Sequence, residues 1–218
     1  MKKFLEIHQK QKIVLLDGQN DTSIQKRELI SNNKSSLFLI YPNLAESTDA
    51  YLENNTNNAS IVCLLETDAC SVLFSGDLEK EGWERLLRRF PELRCDILKM
   101  PHHGAFYDTG KGIGLEEVLE VLEPSAVVIS SGENKKYKHP SERTIGLLKE
   151  KQIKIYCTEF TSICHCNLNE FGRKCYGDIE VGVTDSVYVI RTESENILLL
   201  NHRACSSESG TFERVWYN

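Results

Sequence analysis

The fold of this chain is decided by a short strand and turn that read Ser71-Val-Leu-Phe-Ser-Gly-Asp77. The apolar residues predict a buried strand, and Ser-Gly-Asp predicts a turn at its carboxyl end. Apolar residues then recur at i, i+3, i+4 and i+7, which predicts an amphipathic helix that ends before Pro91; they are Trp83, Leu86, Leu87 and Phe90. A strand followed by a helix is the building unit of a layered α/β protein.

The alternation of strands and helices continues on both sides of this unit. Further helices are predicted at 115–122 and from an N-cap at Ser141 to about residue 152. The predicted strands are 37–41, 60–65, 71–74, 96–100, 126–130 and 153–157, with a final hairpin at 179–183 and 187–190. The polar segment 19–36 is typical of a loop or short helix, and the Asn-rich segment 43–59 of a surface loop. Its two glycosylation sequons, at Asn54 and Asn58, are interpreted as chance.

Composition narrows the class of protein. The chain has 218 residues, of which 40% are hydrophobic and 27% charged, with a net charge of −6. These values fit one globular domain or two small ones, and they exclude collagen-like, mucin-like and wholly disordered chains. No apolar run approaches the ~18 residues of a membrane helix, and the run at 13–16 is too short for a signal peptide. We therefore expect a soluble, cytoplasmic protein without a membrane partner.

Four residues form the candidate catalytic site. Asp77, His102, His103 and His139 each follow the end of a predicted strand, where ligands collect in layered α/β folds. Carboxylate and imidazole groups bind Zn²⁺ or Mn²⁺, which lowers the pKa of bound water to about 7. The alternatives are that Gly-Asp is only a turn or helix cap and that His-Pro is only a loop. Adjacent histidines are harder to explain in this way, so the combination favours a metal site.

The stretch 133–154 is basic in an acidic chain. It holds seven Lys and Arg residues against three acids, and His139 lies within it. Such a patch attracts phosphates, including those of nucleic acids. A solvated helix face is an equally good interpretation.

Four of the eight cysteines cluster around His165, at Cys157, Cys164, Cys166 and Cys175. Four thiolates can bind a structural Zn²⁺ that holds a loop together. The spacing is not the paired C-x-x-C form, so ordinary thiols and a redox pair remain as alternatives, and Cys157 can simply be buried at a strand end.

The motifs together resemble one family. They are Asn57-Asn-Ala-Ser-Ile-Val-Cys-Leu-Leu65, Phe74-Ser-Gly-Asp-Leu-Glu79, Cys95-Asp-Ile-Leu-Lys-Met-Pro-His-His-Gly104, Val128-Ile-Ser-Ser-Gly-Glu-Asn134 and Tyr137-Lys-His-Pro-Ser141. In order and spacing they resemble the metallo-β-lactamase-fold hydrolases of the ComEC competence-protein type, over residues 37–158. The resemblance implies metal ligands at Asp77 and His139, a pocket lined by His102 and His103, and hydrolysis of DNA or another phosphodiester by metal-bound hydroxide. We add His103 to the expected ligands.

The chain departs from that family in its first sixty residues. The family's main metal motif, His-x-His-x-Asp-His or a variant, is absent there, and His8 is the only histidine. The expected architecture is thus α/β, part of an αββα sandwich that lacks the first metal-motif half. Residues 1–158 would form this partial domain, with the cysteine loop, terminal hairpin and tail at 159–218 packed on it. Half a sandwich exposes a sheet face, so we expect a partner chain or a homo-oligomer to cover it.

Three functions follow from these patterns. The first is a metal-dependent phosphodiesterase or nuclease whose metal site a partner chain completes. The second is a binding or regulatory protein that has kept the fold without the metals. The third is thiol redox chemistry at the cysteine cluster. A chain split in two, a metal-poor descendant and a fragment of a longer product all explain the missing motif.

Overall fold

A seven-stranded mixed sheet is the main element of the computed structural model, which describes residues 26–107, 113–132, 139–159, 161, 177–183 and 187–192. The strands are neighbours in chain order: β1 Arg27–Ser31, β2 Ser35–Tyr41, β3 Val62–Thr67, β4 Ser71–Phe74, β5 Ile97–Lys99, β6 Ala126–Ile129 and β7 Lys154–Cys157. Strands β1 to β4 pair antiparallel, and β4 to β7 pair parallel. The predicted α/β class is confirmed, whereas a metallo-β-lactamase sandwich stays a prediction.

Helices in the described residues are α1 Leu44–Leu52, α2 Lys80–Arg89, α3 Leu115–Leu122 and α4 Glu142–Glu150. The last three lie where the apolar spacing predicts them, and each buries its apolar stripe in the main core. Helix α4 begins as predicted, because the Ser141 hydroxyl accepts a hydrogen bond from the Thr144 amide at 3.0 Å.

The prediction of a surface loop at 43–59 is wrong. The segment forms α1 and a 3-10 turn, Thr56–Ala59. The helix begins with a capping box, in which Asn43 accepts from the Glu46 amide and Glu46 accepts from the Asn43 amide. Two of its large apolar residues, Tyr51 and Leu52, are exposed, so the sequence lacks the apolar periodicity that marks a core-facing helix.

The loop or short helix expected at 19–36 is also corrected, because residues 27–31 form the edge strand β1. Four of its five residues are exposed, so no buried alternation signals a strand. The apolar run at 13–16 lies outside the described residues.

A two-stranded hairpin lies on the sheet face opposite the helices. Its strands are β8 Ile179–Val183 and β9 Tyr188–Thr192, paired antiparallel as predicted. Val181 and Ile190 pack against the buried Val72 and Ile97 of that face. Phe74, on the same face by alternation, remains 43% exposed. The hairpin therefore covers only part of the second face. Across the described ranges, no helix is long and apolar enough to cross a membrane.

Candidate functional site at the carboxyl ends of the parallel strands

Three loops meet at the carboxyl ends of the parallel strands. Asp77 follows β4, His102 and His103 follow β5, and His139 lies in the connection between β6 and α4. The His103 Nε2 and Asp77 Oδ1 atoms are 3.7 Å apart, and the His102 and His139 ring centroids are 5.4 Å apart. All four residues predicted from the sequence thus lie beyond the carboxyl ends of the parallel strands.

The Gly-Asp turn is tied to the loop that precedes β3. Gly76 has a φ of +55°, and a Cβ there would lie 2.8 Å from the Ser60 Cβ. The Asp77 amide donates to the Ser60 hydroxyl at 3.0 Å, and the Ser75 hydroxyl donates to the Lys99 carbonyl at 2.6 Å. Glycine is needed at 76 for its positive φ and for this close approach. The turn therefore fixes the backbone from which the Asp77 carboxylate projects.

The two histidines have unusual backbone conformations. His102 (φ 45°, ψ 46°) and His103 (φ 54°, ψ 25°) are both left-handed within a 3-10 turn, Pro101–Gly104. For residues other than glycine, such conformations cost about 1–3 kcal/mol each and persist where surrounding contacts impose them. Two contacts do so here: the His102 amide donates to the Gly76 carbonyl at 3.2 Å, and the Ala105 amide donates to the His102 carbonyl at 2.9 Å.

The protonation of His103 follows from its two contacts. Its Nδ1 lies 2.7 Å from the Ser130 carbonyl oxygen, which only accepts, so Nδ1 carries a proton. In a neutral ring Nε2 then has a lone pair, and it faces the Asp77 carboxylate. A distance of 3.7 Å is too long for a hydrogen bond between these atoms. Two acceptors held face to face are stabilised by a shared cation, either a proton on the ring or a metal ion.

His102 is oriented by Glu79, a residue that the sequence reasoning missed. The His102 Nδ1 and Glu79 Oε1 atoms are 2.8 Å apart, and the Asn55 and Asn57 side-chain amides donate to the Glu79 carboxylate at 2.9 and 2.8 Å. Burial alone would raise the pKa of Glu79, but these amides and His102 outweigh it and hold that pKa below its ordinary value. Glu79 lies two residues beyond Asp77 in the quoted motif, but nothing in that motif indicates its contact with His102.

Asn58 organises the start of α2 next to this carboxylate. It is fully buried, and its Oδ1 accepts from the Glu79 and Gly82 amides at 3.1 and 3.2 Å. Its Nδ2 donates to Glu81 at 3.0 Å. The Asn-rich segment thus positions the site, and burial of Asn58 agrees with the interpretation of its sequon as chance.

His139 is held by close packing between its loop and the His-His-Gly turn. Gly104 has a φ of +79°, and a Cβ there would lie 2.8 Å from the Pro140 Cβ. The Ser141 amide donates to the Gly104 carbonyl at 3.0 Å. Burial lowers the pKa of His139, and the His102 and His103 rings lower it further against the opposing effect of Asp77. A neutral imidazole is the form that binds metals.

Two more polar groups border the site. The Lys99 Nζ donates to the Gly76 carbonyl at 3.3 Å, and burial lowers the pKa of this amine, an effect that Asp77 opposes. The Tyr107 hydroxyl is buried without a hydrogen-bond partner among the described residues. Burial, and then the Glu79 charge, raise the pKa of Tyr107 well above its ordinary value, so it is a neutral donor.

A metal ion needs more ligands than these residues supply. Within the described ranges, no three His, Cys, Asp or Glu side chains come together as a metal-binding group. Asp77 and His103 have the right donor chemistry, but a four-coordinate site needs further donors. The described residues therefore do not fit a complete metal site.

The cysteine cluster falls largely outside the described residues. Cys157 ends β7 as a fully buried free thiol, in agreement with the simplest interpretation of that residue. Cys164, Cys166 and Cys175, with His165, are not among the described residues, so a structural Zn²⁺ there stays a prediction.

The basic stretch divides into two parts along α4. At its far end, Lys151 lies 2.9 Å from Glu120 and 3.5 Å from Glu116, which neutralise it. At its near end, the Arg143 guanidinium lies over the Phe106 ring, 4.0 Å from the centroid. Lys135, Lys136 and Lys138 lie outside the described residues. Only part of the predicted patch is thus a solvated, ion-paired helix face.

Comparisons with known proteins place these features in context. No protein-family model matches the chain. It is 38% identical over 103 residues to "ComE operon protein 3" of Bacillus subtilis (strain 168), covering 47% of this chain and 13% of that protein. It is 29% identical over 119 residues to "Competence protein ComA" of Neisseria gonorrhoeae, covering 54% of this chain and 16% of that protein. The chain thus spans a small part of either relative, and the two names indicate a competence-related family.

Proposed function

We propose that this chain acts in DNA handling during competence and supplies one half of a metal-dependent phosphodiesterase site. The observation that carries the proposal is the pair formed by Asp77 and His103. The Asp77 Oδ1 and the His103 Nε2 face each other as two acceptors 3.7 Å apart, while the His103 Nδ1 donates to the Ser130 carbonyl. This arrangement is typical of histidines that bind a cation through Nε2.

The competence role is supported by the two relatives. One is named a competence protein and the other a ComE operon protein, and each resembles about half of this chain. DNA is the polymer taken up in competence, and its backbone is a phosphodiester. A site that hydrolyses phosphodiesters therefore suits the family that these names indicate.

The remaining metal ligands would come from outside the described residues. A docking chain or a second copy would bring them, or other parts of this chain would do so. His139, beside His102, is the further donor that the sequence predicts from this chain, but it forms no group of three with Asp77 and His103 and would have to move to join them. His102, oriented by Glu79, would line the pocket with its Nε2.

A second candidate is a binding protein without metals. One observation favours it: the described residues contain no group of three metal-binding side chains. In that case the Asp77 and His103 pair would share a proton, and the pocket would bind DNA or a protein without cleaving it.

The experiment is metal analysis combined with a hydrolysis assay. The full chain, alone and with the product of a neighbouring gene, is incubated with Mn²⁺ or Zn²⁺ and then with labelled DNA and a chromogenic phosphodiester. The test variants are Asp77→Ala and His103→Ala. The matched control is Asp68→Ala, because Asp68 is an exposed carboxylate in the turn at the opposite end of β4.

The proposal expects a metal-dependent activity that both test variants lower at least about 100-fold, as loss of a metal-binding residue does. The control should keep full activity. A metal-dependent activity that survives Asp77→Ala would refute the site, and absence of both bound metal and hydrolysis would favour the binding protein.

A further inference from the structure

Arg143 occupies a position that the helix itself does not favour. It is the second residue of α4, and the amino end of a helix carries a partial positive charge that disfavours cations. Its side chain is exposed, so burial in the core does not explain it. A cation kept at this position is more readily explained by something that it binds.

The guanidinium is held in place by an aromatic ring. It lies 4.0 Å from the Phe106 centroid, well within the range of a cation–π contact. Among the described residues it has no carboxylate partner, in contrast to Lys151 at the other end of the helix. Stacking fixes the plane of the guanidinium while its N–H donors stay available, which suits recognition of a phosphate.

The stacked pair lies next to the candidate site. Phe106 is three residues from His103, so their Cα atoms are at most about 11 Å apart. The Ser141 amide, two residues before Arg143, is bonded to the Gly104 carbonyl. One strand of duplex DNA advances about 3.4 Å per nucleotide, so the Cα separation of Phe106 and His103 spans at most about three nucleotides.

We propose that Arg143, held on Phe106, binds a backbone phosphate of a nucleic-acid strand whose scissile phosphodiester lies at the Asp77 and His103 pair. The inference rests on the proposed function in that it takes the substrate to be a nucleic acid. It adds a phosphate contact at Arg143, outside the Asp77 and His103 pair. An acidic protein segment is the other polyanion that would suit the same guanidinium.

The experiment measures binding without chemistry. The full chain is titrated with a fluorescein-labelled single-stranded oligonucleotide of about 20 nucleotides in EDTA, at several salt concentrations, and fluorescence anisotropy is recorded. The variants are Arg143→Gln, Arg143→Lys and Phe106→Leu. The control is Lys149→Gln, which removes one exposed positive charge from the same helix. Thermal unfolding of each variant verifies that it is folded.

Arg143→Gln is expected to weaken binding at least about five-fold and to reduce the slope of log affinity against log salt by about 0.7, the value for one phosphate contact on a single strand. Arg143→Lys and Phe106→Leu should fall between wild type and Arg143→Gln, because each loses the stacked plane and keeps the charge. Lys149→Gln should bind like wild type.

The inference would be overturned if the wild-type chain did not bind the oligonucleotide, or if Arg143→Gln and Lys149→Gln caused equal losses. Competition by an acidic peptide, with no effect of Arg143→Gln on DNA binding, would also overturn it in favour of a protein partner. A different result would contradict the proposed function. Binding that depends on Arg143 without any metal-dependent hydrolysis would keep Arg143 as a phosphate contact and remove both the scissile position and the hydrolase.

Discussion

The two ends of the parallel strands each carry an aspartate, but the two carboxylates differ in their hydrogen bonding. At the amino ends, the Asp96 carboxylate accepts from the Ser71 amide at 2.7 Å and from the Ser71 hydroxyl at 2.9 Å, and the Asp96 carbonyl accepts from the Ser125 hydroxyl at 2.9 Å. At the carboxyl ends, the Asp77 carboxylate accepts no hydrogen bond from the described residues and faces His103 at 3.7 Å. One carboxylate joins strands, and the other is left available to bind a ligand.

The comparison separates stability from function within one sheet. Hydrogen bonds that are completed inside the protein stabilise the fold and leave nothing to react. Left-handed histidines and facing acceptors lower stability locally, and proteins keep them where they serve a function. Substitutions at the two ends should therefore have different consequences.

Gly104→Ala is expected to have the largest effect on stability. The added Cβ would meet Pro140 at 2.8 Å, and alanine does not favour a φ of +79°. Left-handed backbone and overpacking together cost about 2–4 kcal/mol of the free energy of unfolding, which urea denaturation measures. The control is Gly146→Ala in α4, where a Cβ has no neighbour within 4 Å. It should stabilise the chain by about 0.5–1 kcal/mol, and equal effects of the two changes would contradict the packing described here.

The pair Asp96→Ala and Asp77→Ala tests the comparison itself. Asp96→Ala leaves the Ser71 amide and hydroxyl without their acceptor, so we expect it to lower the free energy of unfolding by about 1–3 kcal/mol. Asp77→Ala should change it by no more than about 0.5 kcal/mol, as at surface positions without such contacts. Urea denaturation of both variants measures these changes. If Asp77→Ala lowered the free energy of unfolding more than Asp96→Ala, the carboxyl ends and not the amino ends would be the stabilising ones, which would contradict this comparison.

Glu79→Gln is expected to have a smaller effect on the free energy of unfolding. Glu79 accepts hydrogen bonds inside the protein, as Asp96 does, and it also contacts a histidine of the candidate site. The variant loses charge-assisted hydrogen bonds to Asn55, Asn57 and His102, which are together worth about 1–2 kcal/mol at a half-buried position. Glu84→Gln serves as the control, since Glu84 pairs with the exposed Arg88 on the surface of α2 and should change stability by less than about 0.5 kcal/mol. The two variants would be indistinguishable by urea denaturation if the Asn-rich segment did not orient Glu79.

The helices and strands whose apolar residues recur regularly could be predicted from the sequence. Helix α3 has apolar residues at Leu115, Val118 and Leu122 that all face the core, so its bounds were predicted correctly. Helix α1 was missed because Tyr51 and Leu52 point to solvent, although its capping box was visible in the sequence. Strand β1 was missed because an exposed edge strand has no buried alternation.

Site residues could be predicted where a carboxylate or imidazole side chain directly follows a predicted strand. Asp77 and the two histidines could be placed because the parallel strands β4 and β5 bring their carboxyl ends to one edge. The role of Glu79 could not be predicted, since it depends on Asn55 and Asn57, which are more than twenty residues away in sequence. Nor could the tautomer of His103, which is set by the Ser130 carbonyl beyond β6.

The central claim is that the His103 Nε2 and the Asp77 carboxylate together bind a metal ion, with Nδ1 held by the Ser130 carbonyl. The most direct measurement is a long-range ¹H–¹⁵N correlation spectrum of the imidazole nitrogens at pH 8, with His103→Ala used to assign the ring. It is recorded before and after Zn²⁺ is added, with and without the product of the neighbouring gene. We predict a proton on the His103 Nδ1, held by the Ser130 carbonyl, and an Nε2 resonance that shifts when Zn²⁺ binds, a shift that Asp77→Ala abolishes. A proton on Nε2 without one on Nδ1, or an Nε2 resonance that saturating Zn²⁺ leaves unchanged, would contradict the claim.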